Sequence, residues 1–124
     1  MKPYFADLFA GSKRVARAAR RLGAEARTWE LGDGPSNDLT CWEVELALHR
    51  DIEAGRVLAA SMAPPCKSFS IANNASGPIR SVRYPRGIPG LTGDRLARVR
   101  EGNKTLNVTV RLIHSLGKQR VPFS

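Results

Sequence analysis

The residue in this chain with the strongest claim to covalent chemistry is Cys66, within Ala63-Pro64-Pro65-Cys66-Lys67-Ser68-Phe69-Ser70. The thiolate is the nucleophilic form of cysteine, and an unperturbed thiol ionises near pH ~8.5, so the neighbouring Lys67 favours the reactive species. The apolar run Val57-Leu58-Ala59-Ala60-Ser61-Met62 just before it reads as a buried strand. Two consecutive prolines donate no ladder hydrogen bonds, and each drives the residue before it toward extended backbone. They end the strand abruptly and present Cys66 at its carboxyl tip, where open α/β sheets bind their ligands. A lone cysteine could also be an inert core filler. The double proline on one side and the polar Lys67-Ser68 on the other favour the nucleophile.

A second constellation lies at the amino terminus. Pro3-Tyr4-Phe5-Ala6-Asp7-Leu8-Phe9 is a short apolar run, followed by the turn residue Gly11. Val15, Ala18, Ala19 and Leu22 then recur at helical spacing, with Ser12 as the expected N-cap and Gly23 as the stop. This is the strand–turn–helix opening of a nucleotide-binding unit. Glu25 to Leu31 is the next expected strand. Glu30 stands about 20 residues past the glycine turn, where a carboxylate accepts hydrogen bonds from ribose hydroxyls.

A turn cluster, Gly32 to Ser36, leads to Thr40-Cys41-Trp42-Glu43, which has the spacing of a capping box. Trp42, Leu46, His49 and Ile52 mark one face of a helix that Gly55 ends. His49 is expected to pack on that face or at its rim, and Cys41 to be structural. Strands near 3–9, 24–31, 56–62 and 121–124, alternating with helices, make an α/β fold with a mainly parallel sheet. Only the start of the last strand is expected, which would leave the strand before Cys66 nearly uncovered at the sheet edge.

Residues 71–93 form the longest irregular stretch, with Pro78, Pro85, Pro89 and the arginines Arg80, Arg83 and Arg86. Loops of this length are usually functional or disordered. A long helix is expected from Asp94 to Leu116, carrying Leu96, Val99, Leu106, Val110 and Ile113 at three- and four-residue steps. Asn103 interrupts that stripe beside Gly102. A polar group facing a core needs partners, and the expectation is that Asn103 bonds the backbone of the Pro-Pro-Cys turn. His114 is expected at the surface, near the negative end of the helix dipole.

The 124 residues carry 20 Lys+Arg against 11 Asp+Glu, a formal net charge of +9. Such an excess on a small domain favours a polyanionic partner, nucleic acid above all. No apolar stretch approaches the ~20 residues of a membrane span. The two cysteines, Cys41 and Cys66, fit no metal spacing. An intracellular protein is expected, located with the DNA.

Pro64-Pro65-Cys66-Lys67-Ser68-Phe69-Ser70 resembles the Pro-Pro-Cys-x-x-Phe-Ser motif of DNA cytosine-5 methyltransferases, and Asp7-Leu8-Phe9-Ala10-Gly11-Ser12 resembles that family's first cofactor motif. Two motifs in the right order are far more specific than either alone. The resemblance implies a truncated, Rossmann-like S-adenosylmethionine-dependent methyltransferase fold, three-layer α/β/α. It would be one partial domain over 1–124, with cofactor motifs in 5–40, the catalytic loop in 63–93 and a helix over 94–117.

By resemblance, Asp7, Phe9, Gly11, Glu30, Leu31, Asp38, Leu39 and Pro64 would contact S-adenosylmethionine. Pro65, Ser68, Ser70, Arg80 and Arg83 would contact DNA, with Tyr84 available to stack and Asn103 in support. Cys66 would add to carbon 6 of an extruded cytosine. Lys13 stands where the family usually has a second glycine, and the short interval from Glu30 to Asp38 lacks a helix the family usually has there. The family's Glu-Asn motif does not occur in this sequence. The resemblance therefore points to a methyltransferase whose remaining motifs lie on another chain or were lost, or to a non-catalytic remnant that binds DNA or cofactor; an unrelated nucleotide-binding domain with a structural cysteine is the third reading.

Overall fold

A computed structural model describes residues 2–65, 67–69 and 77–124, with Lys67 described by its backbone alone. The chain divides into two compact units. One comprises the residues up to Pro64 together with Val108–Ser124, and the other comprises Pro65–Asn107.

The first unit is an open parallel sheet of three strands in the order β2-β1-β3. Strand β1 spans Tyr4–Leu8, β2 spans Ala26–Trp29 and β3 spans Val57–Met62. Parallel neighbours cannot be joined by hairpins and need crossovers. Helix α1, Arg14–Arg21, returns the chain from β1 to β2, and helix α2, Trp42–Glu53, carries it from β2 to the far side of β1. The strand order therefore reverses at β1, and the crevice beyond the carboxyl ends of β1 and β3 is a topological switch point.

The central strand alternates its faces as a fully covered strand must. Tyr4, Ala6 and Leu8 enter a core with Leu48 and Ile52 of α2, and with Val108, Leu112 and Leu116 from the last turns of helix α3, Gly93–Lys118. Burying each of the larger aliphatic side chains is worth about 1.5–3 kcal/mol. Asp7 faces the other way, toward α1, and stays buried. Polar contacts stitch the same elements together. The Tyr4 hydroxyl donates to Asp51 Oδ2 at 2.7 Å. Burial, and then the Asp51 carboxylate, push its phenol pKa upward, which keeps it a donor.

The last residues follow the sequence reading and add to it. Ala60 N–H donates to Pro122 O at 3.0 Å, Met62 N–H to Ser124 O at 2.9 Å, and Ser124 N–H to Ala60 O at 3.1 Å. Residues 122–124 thus begin a fourth parallel strand along β3, whose edge is better covered than the sequence suggests.

Helix boundaries hold corrections. The N-cap of α1 is Lys13, in left-handed backbone, and not Ser12. The capping box does not form. Cys41 occupies the N-cap of α2 without a side-chain cap, because Asp38 Oδ1 draws both the Thr40 N–H (2.9 Å) and the Thr40 hydroxyl (2.5 Å) away. Strand β2 stops at Trp29, and Leu31–Asp33 and Pro35–Asn37 are 3-10 turns where a full helix is missing. Gly23 and Gly55 end α1 and α2 with positive φ, as read from sequence. Helix α3 runs unbroken through Gly102 and Asn103. No helix among the described residues is long and apolar enough to cross a membrane.

Candidate functional site

At the carboxyl end of β1 the backbone turns sharply. Phe9, Gly11 and Lys13 all have left-handed φ, at 53°, 54° and 60°. Such φ values are uncommon for residues with a side chain and cost energy unless the surroundings hold them. The holding contacts are visible. Ala10 N–H donates to Trp29 O at 2.9 Å, and Lys13 N–H to Ala10 O at 2.8 Å. The Lys13 ammonium pairs with Asp33 at 2.6 Å. Lys13 thus adopts the conformation a glycine takes freely, anchored by its own side chain. Buried Asp7 secures the turn from behind, its Oδ2 accepting the Ala16 N–H at 3.0 Å in the first turn of α1. Burial raises the Asp7 carboxyl pKa, and that hydrogen bond opposes the rise.

Glu30, extended at the tip of β2, reaches this turn, and its Oε2 accepts the N–H of Gly11. A Cβ built on Gly11 would meet nothing within 4 Å, so the space beside the turn is open. Leu31, next to Glu30, leaves its side chain 40% exposed. On the other side of β1, Ala63 N–H donates to Leu8 O at 3.2 Å, which carries the end of β3 and half-buried Pro64 to the same edge of the sheet. Gly11, Glu30, Leu31 and Pro64 therefore all lie at the carboxyl edge. The edge thus gathers a carboxylate, an open backbone turn and an exposed apolar side chain.

Four of the cofactor expectations land elsewhere. The Phe9 and Leu39 side chains belong to the buried core, at 7% and 2% exposure, so Leu39 offers no face for a ring to pack on. Asp7 is spent on α1. Asp38 is half-buried, with Oδ1 committed to Thr40.

The second unit is organised around Arg80. Its Nε donates to Ser68 O (3.1 Å), Nη1 to Pro85 O (2.7 Å) and Asn103 Oδ1 (2.9 Å), and Nη2 to Ser68 Oγ (2.9 Å) and Val99 O (3.2 Å). A guanidinium has five N–H donors, and all five have protein acceptors. The group also stacks 3.8 Å above the Phe69 ring. Burial, and then the Arg86 charge, lower its pKa slightly against this arrangement, but it remains a cation.

These contacts correct the sequence reading of three residues. Arg80 has no donor left for a phosphate, and Ser68 is buried at 4% with its hydroxyl turned to Arg80 instead of outward to a nucleotide. Asn103 Oδ1 accepts from Arg80 and its amide donates to the Arg86 carbonyl (2.9 Å), and among the described residues it makes no bond to the proline turn. The link from Asn103 to the segment after Cys66 runs through Arg80. Gly102 makes this possible, since its missing side chain is the space Ser68 fills. The adjacent Gly102-Asn103 pair in mid-helix was the signal in the sequence; the identity of the partner was not.

Arg83 keeps an exposed side chain, 5.5 Å from the ring centroid of Tyr84, itself 38% exposed. Pro65 is also exposed. The expectations for Cys66 and Ser70 lie outside the described residues.

A further polar cluster escaped the sequence reading. Glu45 of α2 is buried, receives Arg111 Nε and Nη2 at 2.7 Å each, and bonds His49 Nε2 at 2.8 Å, while His49 Nδ1 meets Ser115 Oγ at 2.5 Å. Burial alone would raise the Glu45 pKa, but Arg111 and His49 together hold it below the carboxylate range. The cluster clips α2 to the end of α3, and His49 is packed within it. Burial, and then Asp38 and Glu43, raise the Cys41 thiol pKa, which suits an unreactive structural cysteine. Among the described residues no three His, Cys, Asp or Glu side chains gather to hold a metal.

Compared with protein-family models, curated proteins and solved structures, the chain matches none.

Proposed function

We propose that this chain is a DNA cytosine-5 methyltransferase-like protein with a Rossmann-like fold, binding S-adenosylmethionine at the carboxyl edge of β1 and β2. The observation that carries the reading is the Glu30 carboxylate bonded to the open Gly11 turn, at the carboxyl ends of β1 and β2. Pro64, which follows the end of the neighbouring strand at the same edge, directly precedes Pro65-Cys66 in the sequence. The Glu30 carboxylate holds the cofactor's hydroxyls, Leu31 offers its apolar surface, and the fixed turn limits movement once the ligand is seated. S-adenosylmethionine, when bound, supplies an electrophilic methyl group.

The chain's own nucleophile is Cys66. Its thiolate adds to carbon 6 of cytosine, which pushes the ring's electron pair to carbon 5, the atom that takes the methyl group. Loss of the carbon 5 proton then re-forms the double bond and expels the thiolate. Arg83 and Tyr84 are the loop side chains exposed for DNA, by phosphate contact and by stacking. The 124 residues contain no Glu-Asn pair. A second reading, which needs no such pair, is a DNA- or cofactor-binding protein without chemistry.

Calorimetric titration of S-adenosylmethionine into the wild type and Glu30→Ala tests the cofactor half. The wild type binds, and Glu30→Ala weakens binding at least tenfold. No heat from a folded wild type, or equal affinity in both proteins, would refute the reading.

A further inference from the structure

Helix α1 carries its charges in an order that works against its own stability. Arg14 stands in the first turn, beside the positive end of the helix dipole, and no acidic residue is present in that turn. Arg14, Arg17 and Arg21 follow one another at steps of three and four, the spacing at which like charges on a helix repel. All three are exposed, and together with Ser12 they line one open depression of about 460 Å³.

The neighbouring cations are occupied differently. Lys13 is paired with Asp33, and Arg20 Nη2 donates to the Ala26 carbonyl at 2.9 Å. Arg17 spends one Nη2 contact on the Ser12 carbonyl and has the rest of its guanidinium free to reach outward. For Arg14 and Arg21 no acceptor is found among the described residues. Three guanidiniums thus run about 10 Å along the helix, from the rise of ~1.5 Å per residue, with no carboxylate lining the same depression.

The geometry points to a binding surface for the phosphodiester backbone of nucleic acid on α1, formed by Arg14, Arg17 and Arg21. A line of fork-shaped donors matches a line of phosphates, which guanidiniums bind in bidentate fashion. A polyanion also relieves the repulsion that the bare helix stores. A lipid surface fits less well. Membrane-lying helices insert an apolar face, whereas Ala16, the buried residue of α1, is already packed within the fold.

The test is fluorescence anisotropy of a labelled 20-base-pair DNA duplex from 50 to 200 mM salt, without S-adenosylmethionine, so that failure of the cofactor reading leaves the result intact. Proteins compared are the wild type, the triple variant Arg14→Gln/Arg17→Gln/Arg21→Gln, and a control triple, Arg50→Gln/Lys118→Gln/Arg120→Gln, that removes equal charge elsewhere. If each arginine covers one phosphate, the α1 triple flattens the slope of log K against log salt by about 2.7, or roughly 40-fold less loss of affinity over that range. The control triple shifts it by less than about one unit. A charge-keeping triple, Arg14→Lys/Arg17→Lys/Arg21→Lys, retains the slope and shows that the helix itself is intact. Equal flattening by both glutamine triples would mean that only net charge is sensed, and would overturn the proposal. So would a wild type that does not bind the duplex, or an α1 triple that loses binding only to phosphatidylserine vesicles.

Discussion

Replacing Gly102 by Ala should destabilise this protein, although the same change in an ordinary exposed helix stabilises it by about 0.5–1 kcal/mol. Gly102 lies in the interior of α3, and the added Cβ would overlap Ser68 Oγ, approach Ser68 Cβ to 3.1 Å and meet Arg80 Nη2 at 2.9 Å. The hydroxyl could rotate away only by giving up its bond from Arg80 Nη2. Even then the Ser68 Cβ has to retreat, and the Ser68 carbonyl is tied to the same guanidinium. Overpacking of this kind costs about 1–3 kcal/mol, and a buried bond left unmade adds about 1–3 kcal/mol. Set against the gain in helix propensity, the net loss is about 1–5 kcal/mol, or a fall in Tm of roughly 4–20 °C for a chain of this size. Thermal melting followed by circular dichroism reads the total, and hydrogen exchange at residues 79–88 locates it. Ser68→Gly introduced into Gly102→Ala should recover part of the loss. A Gly102→Ala protein that melts higher than the wild type would refute the packing described for Ser68, Arg80 and α3.

Arg80→Lys is expected to behave as a severe change, because three rotatable ammonium donors cannot replace a planar fork with five acceptors. Chemical denaturation should show a loss of about 2 kcal/mol, from two or more bonds at ~1 kcal/mol each, and a change within 0.5 kcal/mol would count against the hub. The Glu45 carboxyl has a folded pKa below its unfolded value. Its contribution is therefore complete above the ordinary ~4.3 and is lost as pH falls through the depressed value. Urea midpoints at pH 7 and pH 3.5 should thus differ less for Glu45→Gln than for the wild type. Identical pH dependence in the two proteins would remove Glu45 from the account of acid sensitivity.

Much of the frame was legible in the residues. The apolar runs before Gly11 and after Gly55 gave β1 and β3, because strands of a parallel sheet read as continuous hydrophobicity, although Leu58 of β3 stays exposed. Glycine stops and helical periodicity placed the bounds of α1, α2 and α3 to within a few residues but missed much of their buried faces: Val15, Leu22, Trp42, Leu106, Val110 and Ile113 are exposed, and Ala16, Leu48, Val108, Leu112 and Leu116 are buried instead. Order along the chain then dictated parallel pairing, since strands separated by helices cannot form hairpins. Glu30 was found by its distance from the turn, a constraint that the βαβ unit imposes on any sequence adopting it.

Partner choice was not legible. The sequence offered Arg80, Arg83 and Arg86 as equivalent basic loop residues, yet Arg80 is consumed by five internal acceptors while Arg83 stays exposed. Thr40 had the spacing of a cap and lost that role to Asp38, a competition between two local hydrogen bonds that spacing cannot rank. Leu39 looked available to a ring until the core claimed it. Glu45, His49, Arg111 and Ser115 are separated by up to 70 residues and share nothing in sequence that would group them. Periodicity and turn chemistry act over a few residues, and by themselves they determined the elements and their order. Which polar side chains face one another depends on how α2, α3 and the Arg80 loop pack. Only the tertiary structure decided that, because hydrogen bonds between residues distant in sequence follow from packing and leave no local pattern.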